Sequence, residues 1–355
     1  MDNTIDMRAL SVAKTANAAG WMRNASFDLV FIVGVATLAL LTGWLSVANP
    51  ALFPLLLILN VWILGYHHVI ATFTRLVFDV ESLQQYKFLV TWLPVIVAIA
   101  VVLAVVSVGP WLLATTYLYW QWFHYTRQSY GISRIYYRKG NPAHAGNNLL
   151  EQAAVYAVPT LGILYRSWQH PPKFLGVELR VVPVPFWVVR VVAIASVVIF
   201  VAWAINQVRA YRKGEIKAAY TMFMLSHLAV FFTAYVLIDE INYGWLCLNV
   251  WHNTQYVMLV WVYNNNRFRG GIDPRHKFLS TISQRRNILI YYAVCLGIST
   301  IIYAAFGKML GLLSVTALPL ALMFYHTINY HHYIVDGIIW KLRQKSVGRT
   351  LGVAN

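Results

Sequence analysis

Apolar stretches of roughly 20 residues recur along the chain, separated by polar and often basic breaks. A run of that length is enough for a helix to cross the hydrocarbon core of a bilayer. The stretches lie at about 28–48, 52–74, 87–108, 111–132, 150–165, 184–206, 217–239, 242–263, 287–307 and 314–340. They predict an all-α fold: a polytopic transmembrane helix bundle of about ten spans. The fifth stretch is short and polar at its start. Several connections are tight, with Asn49-Pro50, Gly109-Pro110 and Asp239-Glu240-Ile241-Asn242 between neighbouring stretches. The chain then divides into a polar N-terminal segment (1–27), one transmembrane helical domain (28–340) and a basic tail (341–355).

Charge orients the bundle. Lys and Arg concentrate on the cytoplasmic side of membrane proteins. With the N-terminus in the cytoplasm, that side receives Arg8, Lys14 and Arg23, then Arg75 and Lys87, then Arg134, Arg138 and Lys139. The groups 209–217, 267–286 and 341–349 follow on the same side, while the opposite side keeps Arg166, Lys173, Arg180, Lys308 and, depending on where the sixth stretch begins, Arg190. Both termini are therefore expected in the cytoplasm, and the expected location is a bacterial inner (cytoplasmic) membrane. The chain has 355 residues, 59% of them hydrophobic, and a formal charge of +16. Anionic lipid headgroups account for that charge without nucleic acid. Two cysteines, Cys247 and Cys295, are too few for a disulfide framework or a thiolate-held iron–sulfur cluster. The first 25 residues lack an apolar stretch followed by a cleavage site, so no secretory signal peptide is expected there.

The stretch FYHTINYHHYIVDGIIW, residues 324–340, carries three histidines, an asparagine and an aspartate inside a span. On the predicted topology, His67, His68, His124, His227, His252, His326, His331 and His332 all fall about 10–20 Å below the cytoplasmic surface, at about 1.5 Å per residue. Polar neighbours share their faces at helical spacing: His326, Asn329, His332, Tyr333 and Asp336; His68, Thr72, Arg75 and Asp79; Tyr117, Gln121, His124, Arg127 and Gln128; Asn249, His252, Gln255 and Tyr256. His227 has no such stripe. A single buried histidine is more often a hydrogen-bonded helix contact than a ligand. Eight at one depth predict a shared site, because ionisable groups inside a membrane are costly and mark function. Imidazole is the commonest metal ligand, so all eight are candidate ligands. Asp336, Tyr333 and Asn329 are candidate catalytic residues, with Asp336 as a bridging carboxylate or an acceptor for His332. Asn253, Gln255, Gln128 and Asn329 are expected to hold the imidazoles in place.

Other features have milder readings. Trp120, Trp122, Tyr125, Tyr130, Tyr136 and Tyr137 read as an interfacial belt, or as the lining of a greasy channel. The loop 264–271 reads as solvated structure or as a docking point for an acidic electron-transfer protein. Arg75 and Arg127 are expected to reach the interface or to pair with Asp79, with an anionic substrate head as the second reading.

Imidazole with carboxylate suits iron, zinc, copper or manganese. Eight histidines lead us to expect two irons, with copper, zinc or haem as alternatives. A multi-span chain with His67, His68, His124, His227, His252, His326, His331 and His332 at one end of its helices resembles the integral-membrane di-iron desaturases and hydroxylases. It is also similar to the Brp/Blh-type carotenoid-cleaving membrane oxygenases. The desaturase boxes are HxxxH and HxxHH, whereas His326, His331 and His332 form HxxxxHH. The resemblance implies an oxygen-dependent oxidoreductase acting on a hydrophobic, lipid-like substrate, with a soluble electron donor at the basic face. The alternatives are a haem protein carrying electrons, a metal- or proton-coupled transporter, and a zinc-dependent hydrolase.

Overall fold

In the computed structural model, which describes residues 20–140, 148–215, 218–312 and 319–353, each predicted stretch forms a long helix. We number these α1 (Ala25–Ala48), α2 (Pro50–Leu76), α3 (Lys87–Ser107), α4 (Trp111–Gly140), α5 (Leu149–Gln169), α6 (Phe186–Arg212), α7 (Ala218–Leu237), α8 (Ile241–Arg267), α9 (Ile288–Leu312) and α10 (Leu320–Ile339). A two-residue-per-strand hairpin, Lys173–Phe174 with Val177–Glu178, lies between α5 and α6. Most of the N-terminal segment, His144, Lys217 and the start of the last predicted stretch lie outside the described residues.

Among the described residues, six helices are long and apolar enough to cross a membrane: α1, α2, α3, α6, α7 and Arg285–Phe306, which holds most of α9. Their outer faces carry exposed Trp44, Trp92, Leu103, Trp187, Ile194 and Ile301. Apolar surface of that extent has no place in water, and the chain is a membrane protein. The remaining four, α4, α5, α8 and α10, are 20–30 residues long but interrupted by polar side chains. Helix α4 runs eight residues past the predicted 132, to Gly140. At about 45 Å it is longer than a hydrocarbon core of about 30 Å, and its last turns carry Arg134, Arg138 and Lys139.

Local chemistry sets the ends. Asn24 caps α1 by accepting from the Phe27 amide at 2.9 Å. Asp28, fully buried, accepts from the amides of Met22, Arg23 and Asn24 and from the Tyr136 hydroxyl, tying the entry of α1 to α4. At the end of α7, the buried Arg166 of α5 donates to the carbonyls of Ala234, Ile238 and Asp239, satisfying groups that a helix end leaves orphaned. Gly244 of α8 passes the same Ala234 carbonyl so closely that a Cβ there would collide with it. Helix α8 packs along α1, α6 along α5, and α10 along α3. A π-helical segment, Asn60–Tyr66, leads directly into His67 and His68 on α2. Such segments re-aim the side chains that follow.

Candidate metal centre

Four helices bring their polar faces to one point. Helix α2 supplies His68 and Thr72, α4 supplies His124, α8 supplies His252, Asn253 and Tyr256, and α10 supplies His332 and Asp336. One ligand atom each from His68, His124, His332 and Asp336 lies within 4.8 Å of the others, and all four residues are buried. The Nε2 atoms of His68 and His332 are 2.6 Å apart. Asp336 Oδ2 lies 3.4 Å from His332 Nε2 and 4.0 Å from His124 Nε2. The His252 ring packs against both His68 and His124, with centroids 4.7 and 4.9 Å away.

The surrounding hydrogen bonds fix the His68 tautomer. Asn253 donates through Nδ2 to Asn249 Oδ1, so its Oδ1 faces His68 Nδ1 at 2.6 Å. A carbonyl oxygen only accepts, so His68 carries its proton on Nδ1 and its Nε2 is bare. Tyr256 donates to Asp336 Oδ1 at 2.7 Å, and the Thr72 hydroxyl donates to the same oxygen at 3.3 Å. Thr72 Oγ1 also lies 2.6 Å from the Tyr256 hydroxyl and 3.1 Å from His332 Nδ1. The bare His68 Nε2 and His332 Nε2 repel each other at 2.6 Å unless a proton or a metal ion is shared by both. His124 Nε2 and both ring nitrogens of His252 are buried without hydrogen-bond partners. Orphaned buried nitrogens are expensive. The donor set and its unsatisfied atoms fit a metal ion, which these residues could hold.

The remaining predicted residues face other partners. His227 donates through Nε2 to the Val155 carbonyl at 2.9 Å. That carbonyl lies four residues before Pro159, whose missing N–H would otherwise have bonded it. His331 donates to the Leu89 carbonyl at 2.7 Å, in the turn ahead of Pro94. His326 donates to Leu322 of its own helix at 2.8 Å. His67 sets its ring edge against Tyr292 at 5.4 Å, and its Nε2 is unpartnered. Tyr333 stacks on the His124 ring at 4.4 Å, whereas Asn329 donates to the Tyr325 carbonyl. Gln128 bonds the His252 carbonyl rather than its ring, and Gln255 has no partner for either amide atom. Arg75 is buried between the Tyr263 and Trp340 rings, 4.5 and 4.3 Å from their centroids. Arg267, not Arg75, pairs with Asp79, at 2.6 and 2.9 Å.

Three contributors escaped the sequence reading. Asn60 bonds Asn249 and extends the amide chain behind His68; a lone amide in an apolar run was its signal. Tyr125 stacks on His252 at 3.9 Å, though its place among aromatics suggests an interfacial belt. Trp340 donates to Tyr256 at 2.9 Å and buttresses the donor to Asp336.

A second group, Asp79, Glu81 and His276, also gathers metal-binding side chains. Here Arg267 already supplies the cation. His276 lies 3.0 Å from Asp79, 2.7 Å from Glu81 and 2.9 Å from Asp273. The hydrogen bond to Asp273 raises the His276 pKa against the effect of burial, with the charges of Glu81 and Asp79 adding to it. Burial works against the Asp79 charge, but bonds from Arg267 and Ser82 hold its carboxyl below the usual range. We read this group as an ion-pair network that pins the loop after α8 to the end of α2.

Comparison with protein-family models, curated proteins and solved structures returns no match to this chain, so the site itself is the guide to function.

Proposed function

We propose that the protein is a metal-dependent membrane oxidoreductase acting on a hydrophobic, lipid-like substrate. The observation that carries this reading is the convergence of His68, His124, His332 and Asp336 with their ligand atoms turned inward. Three imidazoles and a carboxylate suit iron as one of several metals, alongside zinc and copper. With His252 beside them, they make a donor set for one ion. Bound iron would supply the one-electron chemistry by which dioxygen attacks a C–H or C=C bond. The chain's own groups do the rest. Asn253 and Thr72 hold the two facing imidazoles, Tyr256 and Thr72 hold Asp336, and Tyr333 covers His124. In this reading the chain spans the membrane about ten times with both termini in the cytoplasm, and a soluble donor delivers electrons at the basic face.

The contact between His68 Nε2 and His332 Nε2 favours this reading over haem, because no porphyrin plane fits between touching nitrogens. The test is lipid mass spectrometry on cells expressing the wild-type chain or His332→Ala under air. Wild type should yield a lipid species that has gained an oxygen atom or lost two hydrogens, and the variant should not. Identical lipid profiles, or purified protein with a Soret band, would overturn the proposal.

A further inference from the structure

A cavity of about 650 Å³ opens beside the metal centre, a volume typical of small-molecule sites. His124, Asp336 and Tyr333 form its inner end, and Trp120, Leu259 and Trp340 form its walls. Helices α4 and α10 both line it; α4 becomes basic towards its C-terminal end, and so does the segment that follows α10. Arg127, Arg134 and Arg138 follow His124 along α4, while Lys341 and Arg343 follow the end of α10; all five border the cavity. From His124 to Arg138 is about 20 Å along the helix. Among the lining residues Asp336 is the one carboxylate, and it lies at the far end. Arg138 Nε is buried without a hydrogen-bond partner. Phe123, also on the lining, is 46% exposed, which places an apolar ring at the cavity's open edge.

We infer that this cavity takes an anionic amphiphile, its carboxylate or phosphate head held at the arginine mouth and its apolar chain reaching His124 and Asp336. Arginine is suited to such heads because its planar fork bonds their oxygens in pairs. The aromatic walls suit an alkyl chain and offer little to a second charge. Entry past Phe123 lets the chain leave the bilayer without crossing water, while the head stays at the basic surface. The inference rests on the proposed function for what happens at the inner end, but binding itself needs no metal.

The test uses the full chain in a neutral detergent with a dansyl-labelled undecanoic acid, followed by fluorescence titration, and its primary amide as the uncharged control. The acid should bind about tenfold tighter than the amide, the scale of one or two charge-assisted hydrogen bonds. Arg127→Gln/Arg138→Gln should abolish that preference. Should that variant fail to elute as a single species, Lys341→Gln/Arg343→Gln tests the opposite wall. Acid and amide binding alike, or a preference unchanged in a folded double variant, overturns the inference. So does inorganic phosphate displacing the acid at equal concentration, which would mark a site for a free anion. A preference for the acid that survives in chelator-treated protein and in His332→Ala supports it. That result would stand even if the metal reading failed.

Discussion

Helices α3 and α8 differ in what surrounds them. Helix α3 buries Leu89, Leu93, Val97, Val101 and Val105, a single ridge at four-residue spacing, and exposes the rest of its apolar surface. Helix α8 is buried almost all round, and its buried set includes Asn249, His252, Asn253, Gln255 and Tyr256. A soluble protein would place these groups the other way about. In a bilayer, lipid solvates the apolar face of α3 as well as a protein neighbour would, so that face specifies little. The polar groups of α8 have no such solvent, and each must find a partner inside. Side-chain identity should therefore matter on α8 and hardly at all on the outer face of α3.

The sharpest break is at Asn253. Asn253→Leu keeps the volume but frees the His68 tautomer, and metal affinity should fall about 10- to 100-fold, the usual cost of losing a group that orients a ligand. A chelator competition measures it. An unchanged affinity would mean the amide chain behind His68 is packing alone.

Close packing around α8 gives the next effect. Gly244→Ala should destabilise by about 1–3 kcal/mol through its clash with the Ala234 carbonyl, read as unfolding in mixed micelles. Val106→Ala on the exposed face of α3 should stay within about 0.5 kcal/mol.

One buried histidine separates structural from chemical need. His227→Ala leaves the Val155 carbonyl unpaired and should cost about 1–3 kcal/mol with no change in metal content. Adding Pro159→Ala restores a backbone N–H for that carbonyl and should recover part of the loss. A double-mutant cycle with no coupling would separate His227 from Pro159.

The smallest effect lies outside both helices, in the loop network. His276 has a raised pKa, so its contribution is full below the ordinary histidine value of about 6.5 and is lost as pH rises through the raised value. Asp79 has a lowered pKa, so its contribution is present above the ordinary carboxylate value of about 3.9 and is lost as pH falls through the lowered value. The network should be strongest between these limits. The melting temperature should then decline on the alkaline side, and His276→Gln should flatten that decline. An identical slope in the variant would remove the network from the account.

Much of this contrast was legible in the sequence. Apolar runs located all ten long helices, including polar α8 and α10, because helix length and capping survive a few polar interruptions. Depth along each span brought His68, His124, His252 and His332 to one level. Depth is not direction, however. Adjacent residues on a helix point about 100° apart. His68 and His332 therefore meet, while His67 and His331 turn to Tyr292 and Leu89. Which of each pair faces inward depends on helix rotation, which the π-helical segment of α2 also shifts. His227 was opaque for another reason: its partner carbonyl is orphaned by a proline 68 positions earlier in the chain. Arg75 illustrates the same limit, since Asp79 lies one turn away yet is claimed by Arg267 from another helix.

The most direct test exploits those adjacent residues. Metal content of the purified chain, never exposed to chelator, would be measured by plasma mass spectrometry for wild type, His332→Ala and His331→Ala. The account predicts about one ion per chain in wild type, retained in His331→Ala and lost in His332→Ala. A folded wild-type protein without metal, or equal content in the two variants, would contradict it.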